Sequence, residues 1–248
     1  MGRTMYRKVK TVVVVSVLSF GLLIGFCAWV VHQASSDLPG ESQIRDTILK
    51  RYPSKPYATW VPLNDISPEL QQAVITWEDP TFYANNGFNI PEIMRSVVRD
   101  VRAGAYVRGG STITQQVAKN MYLSPRKTLR RKLREAILTL YIESALSKHE
   151  ILEVYLNIAE WGPHIQGIEA AARYYFGKSA ASLNWEESAL LAGILQNPVL
   201  FNPRTYPKRS RGNQVQVLDK LLRFGKLSPT EHAASLRKSI RLNPDPLQ

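Results

Sequence analysis

The pair Glu78-Asp79 is a candidate for acid–base chemistry because it stands at the end of an apolar helical pattern. A carboxylate beside Ile75, Trp77 and Phe82 is partly removed from water, which disfavours its charged form and raises its pKa toward the range of a general base. An acidic turn has the same composition. The pair therefore needs support from other parts of the chain.

The stretch from Gly109 to Asn120 combines two glycines with a dense run of hydroxyl and amide side chains. Its spacing differs from that of a nucleotide-phosphate loop, and its polar groups suit a substrate that carries many hydroxyls. On a helix, Thr112, Gln116 and Lys119 share one face. A polar helix start has a similar composition, but so much polarity on one face favours a binding surface.

A basic cluster precedes Glu135 and consists of Arg126, Lys127, Arg130, Arg131, Lys132 and Arg134. Such runs are commonly solvated faces or lipid-facing patches. Here Arg131 and Lys132 stand four and three positions before Glu135, so on one helix they face that carboxylate. Their charges would hold Glu135 ionised and could also clamp a diphosphate.

Helices are predicted to position these groups. Apolar residues at helical spacing predict helices that end at Glu78, near Gly104 and near Ala145, with others over 168–176 and 185–196. One short strand is predicted over residues 57–61. Helix-start signals occur at Ser67-Pro68, Asn89 to Glu92, Ser147 to Glu150 and Ser228 to Glu231. The predicted fold class is mainly α.

The composition excludes a disulfide-stabilised scaffold and a cluster of cysteine metal ligands. The chain has 248 residues, 32 basic against 20 acidic, and its single cysteine, Cys27, has no intrachain disulfide partner. The histidines have no metal-ligand spacing, which argues against a metal site built by the protein. They are His32, His149, His164 and His232.

A membrane anchor is predicted from Thr11 to Val31, where no residue is charged and the length suits a spanning helix. The apolar core is long for a cleaved signal peptide. The basic tail 1–10 predicts a cytoplasmic N-terminus. Residues 32–56 are predicted to be a juxtamembrane linker with at most one short helix, and residues 57–248 an extracytoplasmic domain. Its basic excess then suits lipid head groups and lipid-linked phosphates rather than nucleic acid.

An amphipathic pattern between Phe88 and Tyr106 predicts a second contact with the bilayer, although a core helix has a similar pattern. Its apolar positions are Ile90, Ile93, Met94, Val97, Val98 and Val101, bordered by Arg95, Arg99 and Arg102.

Four motifs, taken in order, resemble those of the peptidoglycan glycosyltransferases, glycosyltransferase family 51. They are Glu78-Asp79-x-x-Phe82 with Gly87, the stretch Gly109 to Asn120, Arg131-Lys132-x-x-Glu135, and Lys148-x-x-Ile151-Leu152-x-x-Tyr155-Leu156-Asn157. The resemblance covers about Tyr57 to Leu218. With no room for a transpeptidase domain after residue 248, the layout is similar to that of monofunctional members from Gram-negative bacteria. It implies a lysozyme-like helical domain with a small membrane-proximal lobe.

The resemblance implies an inner-membrane enzyme with a periplasmic domain. It would transfer the growing lipid-linked glycan strand onto the GlcNAc 4-hydroxyl of lipid II, with inversion, and release undecaprenyl diphosphate. Glu78 would be the base, and Glu135 a second essential carboxylate near the donor diphosphate. Substrate contacts would come from Asp79, Phe82, Asn85, Ser111, Thr112, Gln116, Lys119, Arg131 and Lys132.

The implied partners are lipid II, the glycan strand, membrane lipids and other proteins of cell-wall synthesis or division, with no nucleic acid. The resemblance implies no cofactor bound by the protein itself. The resemblance is compatible with a divalent cation, Mg²⁺ or Mn²⁺, held by the substrate diphosphate.

Two segments depart from the resemblance. Asn85 stands where family members commonly have His, and Arg211 to Leu218 is less basic than the usual distal motif. Two alternatives stay open. A membrane-tethered, non-catalytic scaffold of the cell-wall machinery would fit Asn85 if activity had been lost, and a lytic transglycosylase would use a glutamate followed by serine. Such pairs occur at Glu41-Ser42, Glu143-Ser144 and Glu187-Ser188.

Overall fold

The computed structural model describes residues 20, 22, 24–26, 28–51, 59–103, 110–124, 126 and 128–244. The predicted basic tail 1–10 and most of the predicted span from Thr11 to Val31 lie outside these residues. Residues 28–35 are helical. Within the described residues, no helix has both the length and the apolar character needed to cross a membrane.

The described chain is mainly helical, which confirms the predicted fold class. A short antiparallel hairpin joins β1 (Glu160–Gly162) to β2 (Ile165–Gln166), and single 3-10 turns occur at Leu63–Asp65 and Ala180–Ser182. The helices are α1 (Glu41–Arg51), α2 (Pro68–Glu78), α3 (Ile90–Ala103), α4 (Ile113–Tyr122), α5 (Leu129–Ala145), α6 (Lys148–Ile158), α7 (Ile168–Phe176), α8 (Trp185–Ile194), α9 (Pro207–Arg223) and α10 (Pro229–Arg237).

Side-chain caps begin the helices where the sequence predicted them. The Ser67 hydroxyl accepts a hydrogen bond from the Leu70 amide at 3.1 Å, with Pro68 at the first helical position. Ser147 and Ser228 each form a reciprocal capping box with the glutamate three residues later. These caps satisfy backbone amides that have no partner inside the helix, so the predicted starts are confirmed.

One hydrophobic core joins two sets of helices. In the first set, α2 packs against α8 and α9. In the second, α4 packs against α5 and α6. The candidate residues at the end of α2, on α4 and on α5 are therefore held by rigid elements.

Three elements differ from the sequence predictions. Residues 59–61 form no strand, because the Val61 backbone bonds to the side chain of Asn157 rather than to another strand; residues 57 and 58 lie outside the described part. Helix α8 ends at Ile194 instead of Gln196. Helix α9 was not predicted. The linker was predicted to hold at most one short helix; it contains α1, which buries Ile44 and Ile48 in the common core.

The apolar stripe on α3 faces outward at three of its four described side chains, and the fourth, Ile93, is half-buried. Ile90, Met94 and Val98 are 60%, 60% and 46% exposed. Glu92 pairs with Arg95 and Arg99 on the same helix, at 2.8 and 2.9 Å. Because large apolar side chains rarely stay exposed together without a function, this part of α3 is not an ordinary core helix. The side chains of Val97, Val101 and Arg102 lie outside the described part.

Candidate active site

Glu78 ends helix α2, and its carboxylate is removed from solvent. Gln116 Nε2 donates a hydrogen bond to Glu78 Oε2 at 2.6 Å. Oε1 is buried and has no hydrogen-bond partner within the described chain. Burial raises the pKa of Glu78, and this outweighs the hydrogen bond from Gln116 and the charges of Lys220 and Lys119, which lower it. A desolvated carboxylate with one oxygen that makes no hydrogen bond can accept a proton there.

Tyr155 sets the direction of the Gln116 amide. The buried Tyr155 hydroxyl donates to Gln116 Oε1 at 3.3 Å, so the amide NH₂ group faces Glu78. Tyr155 belongs to a motif that the sequence singled out, but its contact with the site joins residues 39 positions apart. No local pattern could have revealed this contact.

Two lysines from different helices have charges that act on this carboxylate. Lys119 is exposed on α4, and its charge lowers the pKa of Glu78. Lys220 is half-buried on α9 and donates from Nζ to the Trp77 carbonyl at 3.0 Å. The sequence analysis missed Lys220, because it lies 143 positions from Trp77 and α9 itself was not predicted.

Asp79 and Asn85 connect the loop after Glu78 to the start of α4. Asn85 Nδ2 donates to both Asp79 oxygens at 3.0 and 3.1 Å, and the Ile113 amide donates to Asp79 Oδ2 at 3.3 Å. Asn85 Oδ1 accepts from the Gly87 amide at 2.9 Å. Phe82 is fully buried in the same loop, with Lys148 Nζ 4.8 Å from its ring centroid. The predicted residues 79, 82 and 85 thus make internal contacts that hold the loop.

The polar side chains at the start of α4 and along it lie in three different surroundings. Thr112 is the N-cap of α4, and its buried hydroxyl donates to the Gly87 carbonyl at 2.7 Å and accepts from the Gln115 amide at 3.2 Å. Gln116 faces Glu78, whereas Ser111 and Lys119 are exposed. The predicted shared face is therefore split, because Thr112 stands just outside the helix.

Glu135 lies buried on α5 between two cations of its own helix. Arg131 Nη1 donates to Glu135 Oε2 at 3.0 Å, and Lys132 Nζ contacts Oε1. The Lys132 side chain is half exposed, and Arg131 Nε has no hydrogen-bond partner within the described residues. Two cations around one carboxylate leave a positive balance, which suits an anionic ligand. The predicted ion pairs are confirmed.

The glutamates of the three Glu-Ser pairs are engaged in contacts within the protein. Glu143 Oε1 accepts from Thr114 Oγ1 at 2.5 Å and pairs with Lys148 Nζ at 2.7 Å. Glu187 caps α8 and pairs with Lys178 at 2.7 Å. Glu41 accepts a hydrogen bond from the Ser144 hydroxyl. Within the described part, none of these three side chains has a buried carboxylate oxygen without a hydrogen-bond partner.

Over the described residues, no three His, Cys, Asp or Glu side chains come together in a way that could hold a metal ion. Cations that could bind an anion are Arg131 and Lys132 beside Glu135 and Lys119, whose charge acts on Glu78.

Comparison with known proteins places this sequence in a family. The sequence is 37% identical over 191 residues to a biosynthetic peptidoglycan transglycosylase of Nitrosospira multiformis, covering 77% of this chain and 83% of the relative. It is 49% identical over 146 residues to a protein of the same name from Nitrobacter winogradskyi, covering 58% of this chain and 64% of the relative. It is also 38% identical over 228 residues to penicillin-binding protein 2a of Streptococcus pneumoniae, covering 89% of this chain but 30% of that protein.

Among solved structures, penicillin-binding protein 1A from Haemophilus influenzae aligns with a TM-score of 0.46 and 23% identity, covering 76% of this chain and 19% of that one. The sequence model of the family described as Transglycosylase matches residues 45–222. This range contains Glu78, Gln116, Glu135, Tyr155 and Lys220. The chain therefore belongs to the transglycosylase family.

Proposed function

We propose that this chain polymerises peptidoglycan glycan strands. It transfers the growing lipid-linked strand onto the GlcNAc 4-hydroxyl of lipid II, with inversion, and releases undecaprenyl diphosphate. The observation that carries the proposal is the Glu78 carboxylate, which is buried, has a raised pKa and keeps one oxygen without a partner among the described residues. Family membership and relatives named biosynthetic peptidoglycan transglycosylase support the reaction class.

Glu78 is the proposed general base. The acceptor hydroxyl gives its proton to Glu78 Oε1 while its oxygen bonds to the anomeric carbon of the donor sugar. The bond from that carbon to the diphosphate oxygen breaks, and attack from the opposite face inverts the carbon. Gln116 binds Glu78 Oε2 at 2.6 Å, which orients the carboxylate and leaves Oε1 to take the proton. A positioned base typically accelerates such a step by about 10²–10⁴.

The leaving diphosphate needs positive charge more than it needs an acid, because it departs as a stable anion. Arg131 and Lys132 are the proposed ligands, held in place by Glu135, with Lys119 as a third cation. A divalent cation, Mg²⁺ or Mn²⁺, would enter on the substrate diphosphate rather than on protein ligands.

The other predicted site residues have two proposed roles. Ser111 and Gln116 contact the sugars directly, since Ser111 is exposed and Gln116 borders the base. Asp79, Phe82, Asn85 and Thr112 shape the cleft, because their polar groups or rings are occupied within the protein.

The proposed setting is the bacterial inner membrane, with one N-terminal span, a cytoplasmic N-terminus and a lysozyme-like periplasmic domain. A polyprenyl chain stays in lipid, since each CH₂ exposed to water costs about 0.8 kcal/mol. The exposed stripe of α3 supports a small membrane-proximal lobe that brings the cleft to the lipid surface. Proposed partners are membrane lipids and other proteins of cell-wall synthesis or division.

The docking of α3 can be measured in full-length protein reconstituted in vesicles. In a Cys27→Ser background, a fluorophore on Met94→Cys is expected to be quenched by lipids with brominated acyl chains. Adding Val98→Glu should weaken that quenching, because a carboxylate resists burial in lipid. An unquenched probe at Met94 would assign membrane contact to the anchor alone.

Product analysis tests the function itself. The full chain is incubated with lipid II or with finished glycan, and the length of the products is measured. Long glycan from lipid II that is absent with Glu78→Gln supports the proposal. The exposed Glu160→Gln is the matched control and should polymerise normally. Shortening of finished glycan would indicate a lytic enzyme, and neither activity would indicate a scaffold.

A further inference from the structure

Lys220 occupies the face of α9 that packs on α2, where its side chain reaches the residue before Glu78. Its Nζ donates to the Trp77 carbonyl at 3.0 Å and lies 5.4 Å from the Trp77 ring centroid. The Phe224 ring centroid is 6.0 Å from the same nitrogen. The Lys220 ammonium therefore lies near two aromatic rings, beside the C-terminal end of α2.

That position is electrostatically special. Trp77 is the penultimate residue of α2, so its carbonyl has no amide partner inside the helix. Helix C-termini also carry partial negative charge, which a lysine ammonium offsets. When it is ionised, the Glu78 carboxylate adds a negative charge at the next residue. Lys220, from a helix remote in sequence, therefore donates a hydrogen bond to the Trp77 carbonyl and also interacts with the charge of Glu78.

We propose that Lys220 is a positioning residue for the general base, one whose charge keeps Glu78 ionised and whose hydrogen bond holds the last turn of α2. The inference rests on the proposed role of Glu78. Burial opposes ionisation of Glu78, and a base must be ionised before it can take a proton. Lys220 supplies this charge from α9, whereas Lys119 supplies charge from α4.

Charged groups on several elements act on Glu78 and Lys220. Asp79 raises the pKa of Glu78, while Lys119 of α4 and Lys220 lower it. Burial lowers the pKa of Lys220, and the negative charges of Glu78 and Glu92 raise it. On α8, Glu186 pairs with Lys238 and Glu187 with Lys178. Tyr155 on α6 also interacts with the charge of Glu78, and Arg223 on α9 with that of Lys220.

Three substitutions separate the charge of Lys220 from its hydrogen bond. Lys220→Arg keeps the charge, Lys220→Gln keeps a donor without charge, and Lys220→Met keeps neither. The matched control is Lys208→Gln, which changes an exposed lysine at the start of the same helix. Two quantities are measured on the full chain in detergent micelles. One is the pH profile of kcat/KM for lipid II, and the other is the titration of the Glu78 carboxyl by ¹³C NMR, assigned with Glu78→Gln.

We expect Lys220→Gln and Lys220→Met to move both acidic midpoints upward by about one pH unit, which is about a tenfold loss of rate below the midpoint. Lys220→Arg and Lys208→Gln should keep the original midpoints. An unchanged titration of Glu78 in folded Lys220→Gln overturns the inference. So does unfolding of every Lys220 variant, which would make the lysine structural.

The two proposals can fail separately. If the unmodified chain polymerises no lipid II while the NMR midpoint still moves with Lys220, the proposed function is wrong and the charge coupling holds. If polymerisation is normal and the midpoint is indifferent to Lys220, the coupling is wrong and the function holds.

Discussion

Two carboxylates of the candidate site, Glu78 and Glu135, are held in opposite ways. Glu135 is contacted by two cations from its own helix, three and four residues away. Glu78 has one neutral hydrogen-bond donor, from another helix, and keeps an oxygen free within the described structure. Burial disfavours the ionised form of Glu78 and raises its pKa. One carboxylate is therefore suited to organise cations, and the other to accept a proton.

Glu78 and Glu135 also differ in how they affect the stability of the fold. A raised carboxyl pKa means that Glu78 favours the fold while it is protonated and that this contribution is lost as pH rises through its folded pKa. A buried carboxylate that is fully paired, such as Glu135, leaves uncompensated cations when it is removed. Substitutions at the two sites should thus separate catalysis from folding.

The largest effect is expected from Glu78→Gln, with polymerisation lowered by about 10²–10⁴. The amide keeps the shape of the side chain but cannot take a proton. Because the substitution removes a desolvated charge, thermal melting at neutral pH should occur at the same or a higher temperature. Near-normal turnover by the folded variant would remove Glu78 from the catalytic role.

Glu135→Gln is expected to lower polymerisation by about 10², and, unlike Glu78→Gln, to lower the melting temperature as well. Breaking a buried ion pair typically costs about 3–5 kcal/mol, because the remaining charges lose their partner. Polymerisation rate and thermal melting measured together distinguish the two carboxylates. A mild effect on both would reduce Glu135 to an ordinary helix ion pair, worth about 0.3–0.5 kcal/mol.

Tyr155→Phe tests whether the Gln116 amide needs its buried partner. Losing the hydroxyl leaves Gln116 Oε1 without its donor, a loss of about 1–3 kcal/mol, so the rate should fall by about 5- to 150-fold. The exposed Tyr206→Phe is a matched control that should behave like the unmodified chain. If Tyr155→Phe keeps full activity, the orientation of Gln116 does not depend on the hydroxyl.

The smallest effect is expected from Asn85→His. An imidazole can donate to Asp79 and accept from the Gly87 amide, as Asn85 does now. The lipid II polymerisation rate should therefore change by less than about tenfold, in either direction. Loss of activity in a folded Asn85→His protein would give Asn85 a role of its own beside Glu78 and break the assignment of this loop.

Local chemistry explains what could be predicted from the sequence. The starts of α2, α6 and α10 depend on a serine and the residues within three positions of it. The contact of Glu135 with Arg131 and Lys132 follows from the pitch of one helix. Helix α9 escaped prediction because no side chain caps its start after Tyr206 and its first residues are mostly polar.

The sequence by itself determined the mainly helical class, most helix boundaries, the Glu135 cluster and the identity of Glu78 as a candidate base. Only the tertiary structure decided what surrounds Glu78. Gln116 is 38 positions away, and the lysine beside Trp77 is 143 positions from that residue. The pKa of a buried carboxylate depends on its solvation and on neighbours from several elements, and these are fixed when α2 packs against α8 and α9. A spacing pattern records neighbours along one helix, whereas the charge state of Glu78 depends on helices that meet only in the folded chain.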